Sequence, residues 1–289
     1  MAFLDLNGLR CHVQRLAPPD GRPPAATAVL LHGLLTDSLA SYYFTLAPAL
    51  ATAGVDVVMY DQRGHGRTER PPTGYRLDQF LDDLEALLDR LSLTGPVHLL
   101  GNSFGGTVAF GLAARRPEQV LSILAIESEP ASGAWAAKMD RLLRAAEAQL
   151  AQEEALAWVA EQHGAHKARL ARSAGKLLAG SSLTRDLPAS RVLSEAAIGA
   201  IDCPVQAVYG TESDLADQAE WLAALLPRCS STLVQGQEHS VLVEAPEVTL
   251  ELALTWLQGN NVDLRGPQAG PRTGLPAGCR SLQGLGSAR

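Results

Sequence analysis

Residues 97–110 read VHLLGNSFGGTVAF and contain the pattern that decides the fold. The apolar run before Gly101 is typical of a strand buried on both faces, and the residues from Thr107 onward are typical of a helix. Between them, Gly101, Ser103 and Gly105 form a Gly-x-Ser-x-Gly pattern. A sharp strand-to-helix turn needs such glycines, and it would lift the serine hydroxyl above the edge of a sheet. We therefore identify Ser103 as a candidate nucleophile.

The remaining sequence alternates short apolar runs with amphipathic segments. A hairpin turn at Asn7-Gly8 is predicted first. Strands are predicted at 28–31, 55–60, 97–100, 120–126, 204–209 and 232–234, and helices at 41–53, 77–91, 107–116, 216–226 and 246–258. Strands that alternate with helices form βαβ units. The sequence thus predicts an α/β fold whose mostly parallel central sheet is flanked by helices.

The alternation stops in the middle of the chain and again at its end. Residues 129–200 are rich in Ala, Leu and Arg without a convincing strand, so we predict a helical lid inserted into an α/β core formed by 1–128 and 201–258. Residues 259–289 shift to Gly, Pro, Arg and Ser with little apolar periodicity, and we predict a disordered tail there.

Composition excludes several classes of protein. Of the 289 residues, 46% are hydrophobic and 19% charged, which excludes wholesale disorder. The formal net charge of −7 argues against a nucleic-acid partner. The sequence has no long apolar run and no apolar leader at its start, so we expect a cytoplasmic protein without a membrane partner. Its four cysteines are far apart, which predicts free thiols and no metal site.

A serine nucleophile needs a base and a group that orients the base. Among seven histidines, His239 follows the last predicted strand, at the same sheet edge as Ser103. Asp214 follows the preceding strand and completes the order Ser, Asp, His, so we predict it as the acid. Other acids stand at similar strand ends and remain alternatives: Glu127, Glu129, Glu212 and Asp217.

Two backbone N–H groups are candidates for stabilising an oxyanion. The N–H of Phe104 follows the nucleophile and begins a helix. The N–H of Leu34 lies in the turn after the strand at 28–31, where Gly33 permits the backbone to bend. Each such donor contributes about 3–4 kcal/mol to transition-state stabilisation.

Together these residues resemble the α/β-hydrolase family over residues 20–258. The resemblance rests on His32-Gly33, on the loop DQRGHG at 61–66, and on Ser103, Asp214 and His239. It implies that Arg63 braces its loop and that the lid covers the site and selects the substrate. His32, Leu35, Trp135 and Trp158 are the candidate pocket residues, although His32 also suits a role in shaping the oxyanion loop.

The resemblance implies an enzyme without a cofactor: a serine esterase acting on a small-molecule ester, lactone or related acyl compound. The elbow is also similar to that of carbon–carbon hydrolases of ring-fission products, but Ser240 stands where those enzymes usually carry Trp. Acyl thioesterases usually have His where this chain has Asn102. Ser103 excludes haloalkane dehalogenases, which need an Asp nucleophile. Perhydrolases, cofactor-free haloperoxidases and a non-hydrolytic receptor or cyclase stay open.

Partners are only weakly indicated by the sequence. The lid segment 129–200 carries nine basic and eight acidic side chains, a small positive balance in an acidic chain. That balance favours an acyl carrier protein only slightly, because solvated helix faces with paired charges explain it as well. The sequence leaves the oligomeric state open.

Overall fold

Eight strands form one twisted sheet in the computed structural model, which describes residues 2–264. The sheet order is β1-β2-β4-β3-β5-β6-β7-β8. The strands are β1 Ala2–Leu6, β2 Leu9–Leu16, β3 Ala26–Leu31, β4 Val55–Tyr60, β5 Val97–Asn102, β6 Val120–Ile126, β7 Val205–Gly210 and β8 Cys229–Val234. β1 and β2 pair antiparallel with their neighbours, and every pair from β4 to β8 is parallel. The predicted α/β class is confirmed.

The chain begins with the predicted hairpin. Asn7 and Gly8 have φ of 57° and 80°, as a type I′ turn requires at its two central residues. Leu6 therefore pairs with Leu9, and β2 continues until it lies antiparallel to β4.

Helices cover both faces of the sheet. They are α1 Leu39–Tyr43, α2 Ala47–Thr52, α3 Leu77–Arg90, α4 Phe104–Arg115, α9 Gln218–Leu225, α10 Val241–Glu244 and α11 Pro246–Gly259, with a 3-10 turn at Pro117–Gln119. The helix expected over 41–53 is in fact two helices, and the second has Pro48 in its first turn, where a missing N–H costs nothing. α10 was not predicted, because four residues are too few to show a helical period.

Four further helices lie between β6 and β7: α5 Gly133–Leu150, α6 Glu153–Gly180, α7 Leu183–Asp186 and α8 Glu195–Gly199. Gly164, with φ of 83°, kinks α6. The segment contacts the core through the start of α3. There, Asp186 accepts the N–H groups of Gly74 and Tyr75, and Ser190 accepts that of Leu77.

The core is split by the sheet into two apolar clusters. One contains the inward faces of α3 and α4 together with Trp135 of α5. The other contains α1, α2 and α11. β4 is buried along its whole length, as expected for a strand covered by helices on both faces.

The end of the described chain packs on this second cluster through Val262, which is 5% exposed. Of the tail predicted as disordered, 265–289 lies outside the described residues. Within residues 2–264, no helix has both the length and the apolar character that a bilayer span requires.

Candidate active site

Ser103 lies at the turn between β5 and α4 in a strained backbone conformation, with φ of 51° and ψ of −119°. Non-glycine residues rarely adopt positive φ, and such strain concentrates at functional sites. The flanking glycines are required by close contact. A Cβ on Gly105 would lie 1.9 Å from the Leu31 carbonyl oxygen, and one on Gly101 would lie 2.4 Å from the Gly106 Cα. The predicted elbow is therefore present, with the serine at its apex.

His239 reaches this serine from the loop after β8. Its Nε2 lies 3.0 Å from the Ser103 Oγ, a hydrogen-bond distance suited to proton transfer. The loop is braced by the turn after β7, where the Glu212 N–H donates to the Gln237 carbonyl at 3.0 Å. The structure thus brings together the two side chains that the sequence predicts as nucleophile and base.

Two carboxylates stand near the Nδ1 of His239. Glu127 Oε2 is 3.3 Å from Nδ1, and Asp214 Oδ1 is 4.0 Å from it. Asp214, the predicted acid, has a side chain that is 69% exposed, whereas that of Glu127 is fully buried. Glu127 directly follows β6, but Asp214 lies four residues beyond the end of β7, in a loop that faces solvent. The catalytic role of Asp214 stays a prediction, and by geometry Glu127 is the closer partner.

The predicted oxyanion loop lies against the nucleophile. A Cβ on Gly33 would be 3.3 Å from the Ser103 Cβ, which brings the turn at 33–35 beside the serine. Across residues 2–264, no hydrogen bond uses the N–H of Leu34 or of Phe104. Both groups are therefore available to a ligand, as an oxyanion hole requires.

Asp37 ties this loop to the elbow and was missed by the sequence argument. Its Oδ2 accepts the Gly33 N–H at 2.6 Å and the Asn102 side-chain amide at 3.2 Å. Its Oδ1 accepts the Ser38 N–H at 2.8 Å. The only signal in the sequence is an acid soon after a Gly-containing turn, which is common in loops.

His32 and His65 are both buried beside the predicted oxyanion loop and hold the backbone there and in the 61–66 loop. His32 Nε2 accepts the Gln62 N–H at 2.9 Å, and His65 Nε2 accepts the Leu35 N–H at 2.9 Å. Burial lowers the pKa of His65 to about 3, so its ring is neutral and can accept this bond at neutral pH. His32 is thus not a pocket wall, because its ring faces the interior beside the 61–66 loop.

A cavity of about 300 Å³ opens above Ser103. Leu35 and Trp135 line it, as predicted. Trp158 does not: it lies on α6, is 55% exposed, and packs its ring against His163. Further apolar side chains line the cavity: Leu34, Phe104, Met139, Leu142, Leu143 and Leu215. Several of these are on one face of α5, so this helix forms one wall of the pocket.

A charged pair also lines the cavity. Lys138 on α5 forms an ion pair with Glu129 in the loop after β6. Both side chains are largely buried, at 20% and 10% exposure. The pair joins α5 to the loop after β6, and both side chains line the cavity with Ser103. Lys138 lies on the same face of α5 as Trp135, because the two residues are three apart. That Glu129 is its partner could not be inferred from the sequence.

Arg63 has the bracing role that the resemblance implied. Its guanidinium makes two hydrogen bonds to Asp83, at 2.8 and 2.7 Å. Burial raises the pKa of Asp83, and the paired arginine opposes that shift. Within the described part of the chain, no three His, Cys, Asp or Glu side chains are grouped so that they could hold a metal ion.

The chain matches the family model of the alpha/beta hydrolase fold over residues 28–246, which include Ser103, Glu127 and His239. This protein belongs to the alpha/beta hydrolase family. Membership of this family accounts for the order of the strands and supports an enzyme.

This alpha/beta hydrolase is similar to proteins of several activities. It is 29% identical over 211 residues to a 2-(acetamidomethylene)succinate hydrolase of Mesorhizobium japonicum, covering 67% of this chain and 75% of that protein. It is 36% identical over 77 residues to a non-heme chloroperoxidase of Streptomyces lividans, covering 27% of this chain and only 28% of that protein. A solved carboxylesterase structure from Nitrososphaera gargenis matches with a TM-score of 0.74 at 20% identity, covering 91% of this chain and all of that one. The last similarity shows the fold alone.

Proposed function

We propose that this protein is a serine hydrolase that cleaves a carboxylic ester or lactone of a small molecule through an acyl-enzyme intermediate. The observation that carries the proposal is the 3.0 Å contact between Ser103 Oγ and His239 Nε2 at a strained strand-to-helix turn. A serine hydroxyl is a weak nucleophile unless a base takes its proton, and this contact supplies the base.

The proposed reaction uses only groups of the protein and water. Ser103 Oγ attacks the substrate carbonyl carbon while its proton moves to His239 Nε2. The N–H groups of Leu34 and Phe104 stabilise the resulting oxyanion. The intermediate collapses, the alcohol leaves with the proton from His239, and the acyl group stays on Ser103. Water, deprotonated by His239, then releases the acid and restores the serine.

The pocket supports a small acyl substrate with an apolar part. A cavity of about 300 Å³ is at the small end of ligand pockets, and aliphatic and aromatic side chains dominate its walls. The relative from Mesorhizobium japonicum is named as a hydrolase, which fits bond cleavage by water. The lid helix α5 contributes Trp135 and Met139 to the wall, so we propose that it selects the acyl group.

A fluorophosphonate probe tests the nucleophile directly, because it modifies activated serines without requiring the natural substrate. We expect wild type to be labelled on Ser103 and Ser103→Ala to be unlabelled. Ser173→Ala is the matched control, since Ser173 lies on α6, where its hydroxyl accepts a hydrogen bond from Arg70. Labelling that survives in Ser103→Ala would contradict the proposal.

A substrate panel then identifies the bond that is cleaved. p-Nitrophenyl esters of short acids, lactones, thioesters and vinylogous diketones are compared in wild type and Ser103→Ala. We expect turnover of esters or lactones that Ser103→Ala loses. Turnover of the diketones alone would instead favour carbon–carbon hydrolysis. Absence of both labelling and turnover would favour a receptor.

A further inference from the structure

Glu127 occupies a constrained position at the carboxyl end of β6. Its φ is 50°, a positive value that the non-glycine residues Ser103 and Leu35 at this site also have, and its side chain is fully buried. Its N–H donates to the Val208 carbonyl at 2.8 Å, which fixes its backbone to the neighbouring strand. Since β6 lies between β5 and β7, this residue stands between the elbow and the loop that braces His239.

Both oxygens of the Glu127 carboxylate are held by protein donors. The Gly210 N–H donates to Oε1 at 2.5 Å, and the Ser213 hydroxyl donates to Oε2 at 2.5 Å. Oε2 is also the atom 3.3 Å from His239 Nδ1. The carboxylate is therefore oriented toward the imidazole before any substrate binds. At 3.3 Å the two groups form a close ion-pair contact, and catalytic hydrogen bonds are often long or poorly aligned until substrate binds.

Asp214 lacks these constraints. Its Oδ1 is 4.0 Å from Nδ1, beyond hydrogen-bond distance, and its side chain is 69% exposed. Among residues 2–264, no hydrogen bond is donated to its carboxylate, so nothing fixes its direction. Water screens the charge of an exposed carboxylate, which weakens its effect on a nearby cation.

We propose that Glu127, rather than Asp214, is the positioning carboxylate for His239; this inference rests on the proposed serine hydrolase function. Glu127 accepts the Nδ1–H bond, which leaves Nε2 free to take the Ser103 proton. When that proton arrives, the ring becomes a cation, and the buried carboxylate stabilises it without itself being protonated. The acid of the site thus comes from the end of β6 and not from the loop after β7.

The test compares Glu127→Gln with Asp214→Asn, two changes that remove one charge each and keep similar shapes. We expect Glu127→Gln to lower kcat for ester hydrolysis by about 10³- to 10⁴-fold, the size seen when such an acid is neutralised. We expect Asp214→Asn to lower it by less than about fivefold, as for exposed ion pairs. The rate of fluorophosphonate labelling gives the same comparison without a substrate.

The pH profile separates positioning from a purely structural role. The other charged groups that line the pocket with His239 are Asp214, Glu129 and Lys138. Loss of the buried carboxylate should move the acid limb of kcat/KM, or of the labelling rate, to lower pH in Glu127→Gln. Asp214→Asn should leave that limb nearly unchanged. The assignment of Glu127 is overturned if the acid limb moves only in Asp214→Asn. It is also overturned if Asp214→Asn loses as much kcat as Glu127→Gln.

An unfolding measurement and a second variant separate a loss of function from a loss of folding. Thermal unfolding of each variant shows whether it is folded. Should Glu127→Gln be unfolded, Glu127→Asp retains the charge but withdraws it from Nδ1, and we expect about a tenfold or greater loss in its labelling rate. A wild-type rate in Glu127→Asp overturns the assignment. Wild type that neither labels nor hydrolyses overturns the proposed function and this inference together, whereas the Asp214 outcomes overturn this inference alone.

Discussion

The Ser128 hydroxyl donates a hydrogen bond of 2.7 Å to the backbone carbonyl of Ser103, the residue at the apex of the elbow. It also lies 2.8 Å from the Ile126 carbonyl. A Cβ on Gly106 would lie 2.2 Å from the Ser128 Oγ, so the glycine makes room for this contact. The loop after β6 therefore holds the strained turn in place from below, in addition to presenting Glu127 to His239.

Ser128→Ala should release that restraint. We expect a loss of about 1–3 kcal/mol in the free energy of unfolding, because the buried carbonyls lose a donor, and about a tenfold lower kcat as the turn relaxes. Denaturant unfolding and ester kinetics measure the two effects. Ser122→Ala is the control: this buried serine is paired with His98 at 2.8 Å, away from the site, and should lose stability but keep activity. Equal kcat losses in both variants would contradict a specific role for Ser128.

Gly33→Ala should impair the oxyanion loop. The added methyl group would lie 3.0 Å from Asp37 Oδ2 and 3.3 Å from Ser103 Cβ, so the loop must shift. We expect kcat to fall by about 10- to 100-fold with little change in KM, because oxyanion donors act mainly in the transition state. Gly95→Ala, where an added Cβ meets nothing within 4 Å, should be close to wild type. A rise in KM with unchanged kcat would argue against this role for the loop.

Two buried histidines should make stability depend on pH. Burial lowers the pKa of His65 to about 3 and that of His98 to about 4. Below a pH of about 6.5, the unfolded chain protonates both rings while the folded chain does not. Stability from the neutral rings is thus complete above pH 6.5 and is lost as pH falls toward 4, by up to about 1.4 kcal/mol per pH unit for each histidine.

His98→Asn tests this dependence, because it removes one titrating ring far from Ser103. We expect a shallower decline of the unfolding free energy between pH 6.5 and 4 than in wild type, with activity retained at pH 7.5. Denaturant titrations at several pH values provide the slopes. Identical slopes in the two proteins would show that His98 titrates alike in the folded and unfolded states, against the expectation.

Lys138→Met should loosen the contact between α5 and the loop after β6. Glu129 is 10% exposed and would be left without its cationic partner, so we expect a loss of about 1–3 kcal/mol in unfolding free energy. The double variant Lys138→Met with Glu129→Gln should recover part of that loss. Arg141→Met, an exposed change on the same helix, should stay within about 0.5 kcal/mol of wild type. If Lys138→Met is as stable as Arg141→Met, the Lys138–Glu129 pair contributes nothing to the free energy of unfolding.

Much of the fold could be predicted from local patterns. The run at 97–110 identified the elbow, because a buried strand, a glycine-flanked serine and a helix are each encoded within a few residues. The pair Asn7-Gly8 predicted a type I′ turn, because Asn and Gly both tolerate the positive φ that the turn requires. The positions of Ser103 and His239 at one sheet edge followed from strand direction alone, because the carboxyl ends of parallel strands meet there.

The site beyond those two residues required the tertiary structure. Trp158 and Trp135 are both apolar residues on lid helices, yet only Trp135 turns toward the cavity, because helix packing decides which face is buried. Asp37 binds the side chain of Asn102, which is 65 residues away in sequence, so no short pattern reveals that contact. Lys138 meets Glu129 only because the chain folds back between β6 and α5.

The sequence by itself determined the α/β class and the meeting of Ser103 with His239, because strand order and the elbow depend on local preferences and on chain direction. Only the tertiary structure distinguished Glu127 from Asp214. Both acids follow strands that end at the same edge, and their distances to Nδ1 and their burial depend on how neighbouring loops pack. Burial of the carboxylate and its distance to Nδ1 decide which acid faces the imidazole. Spacing along the sequence encodes neither of them.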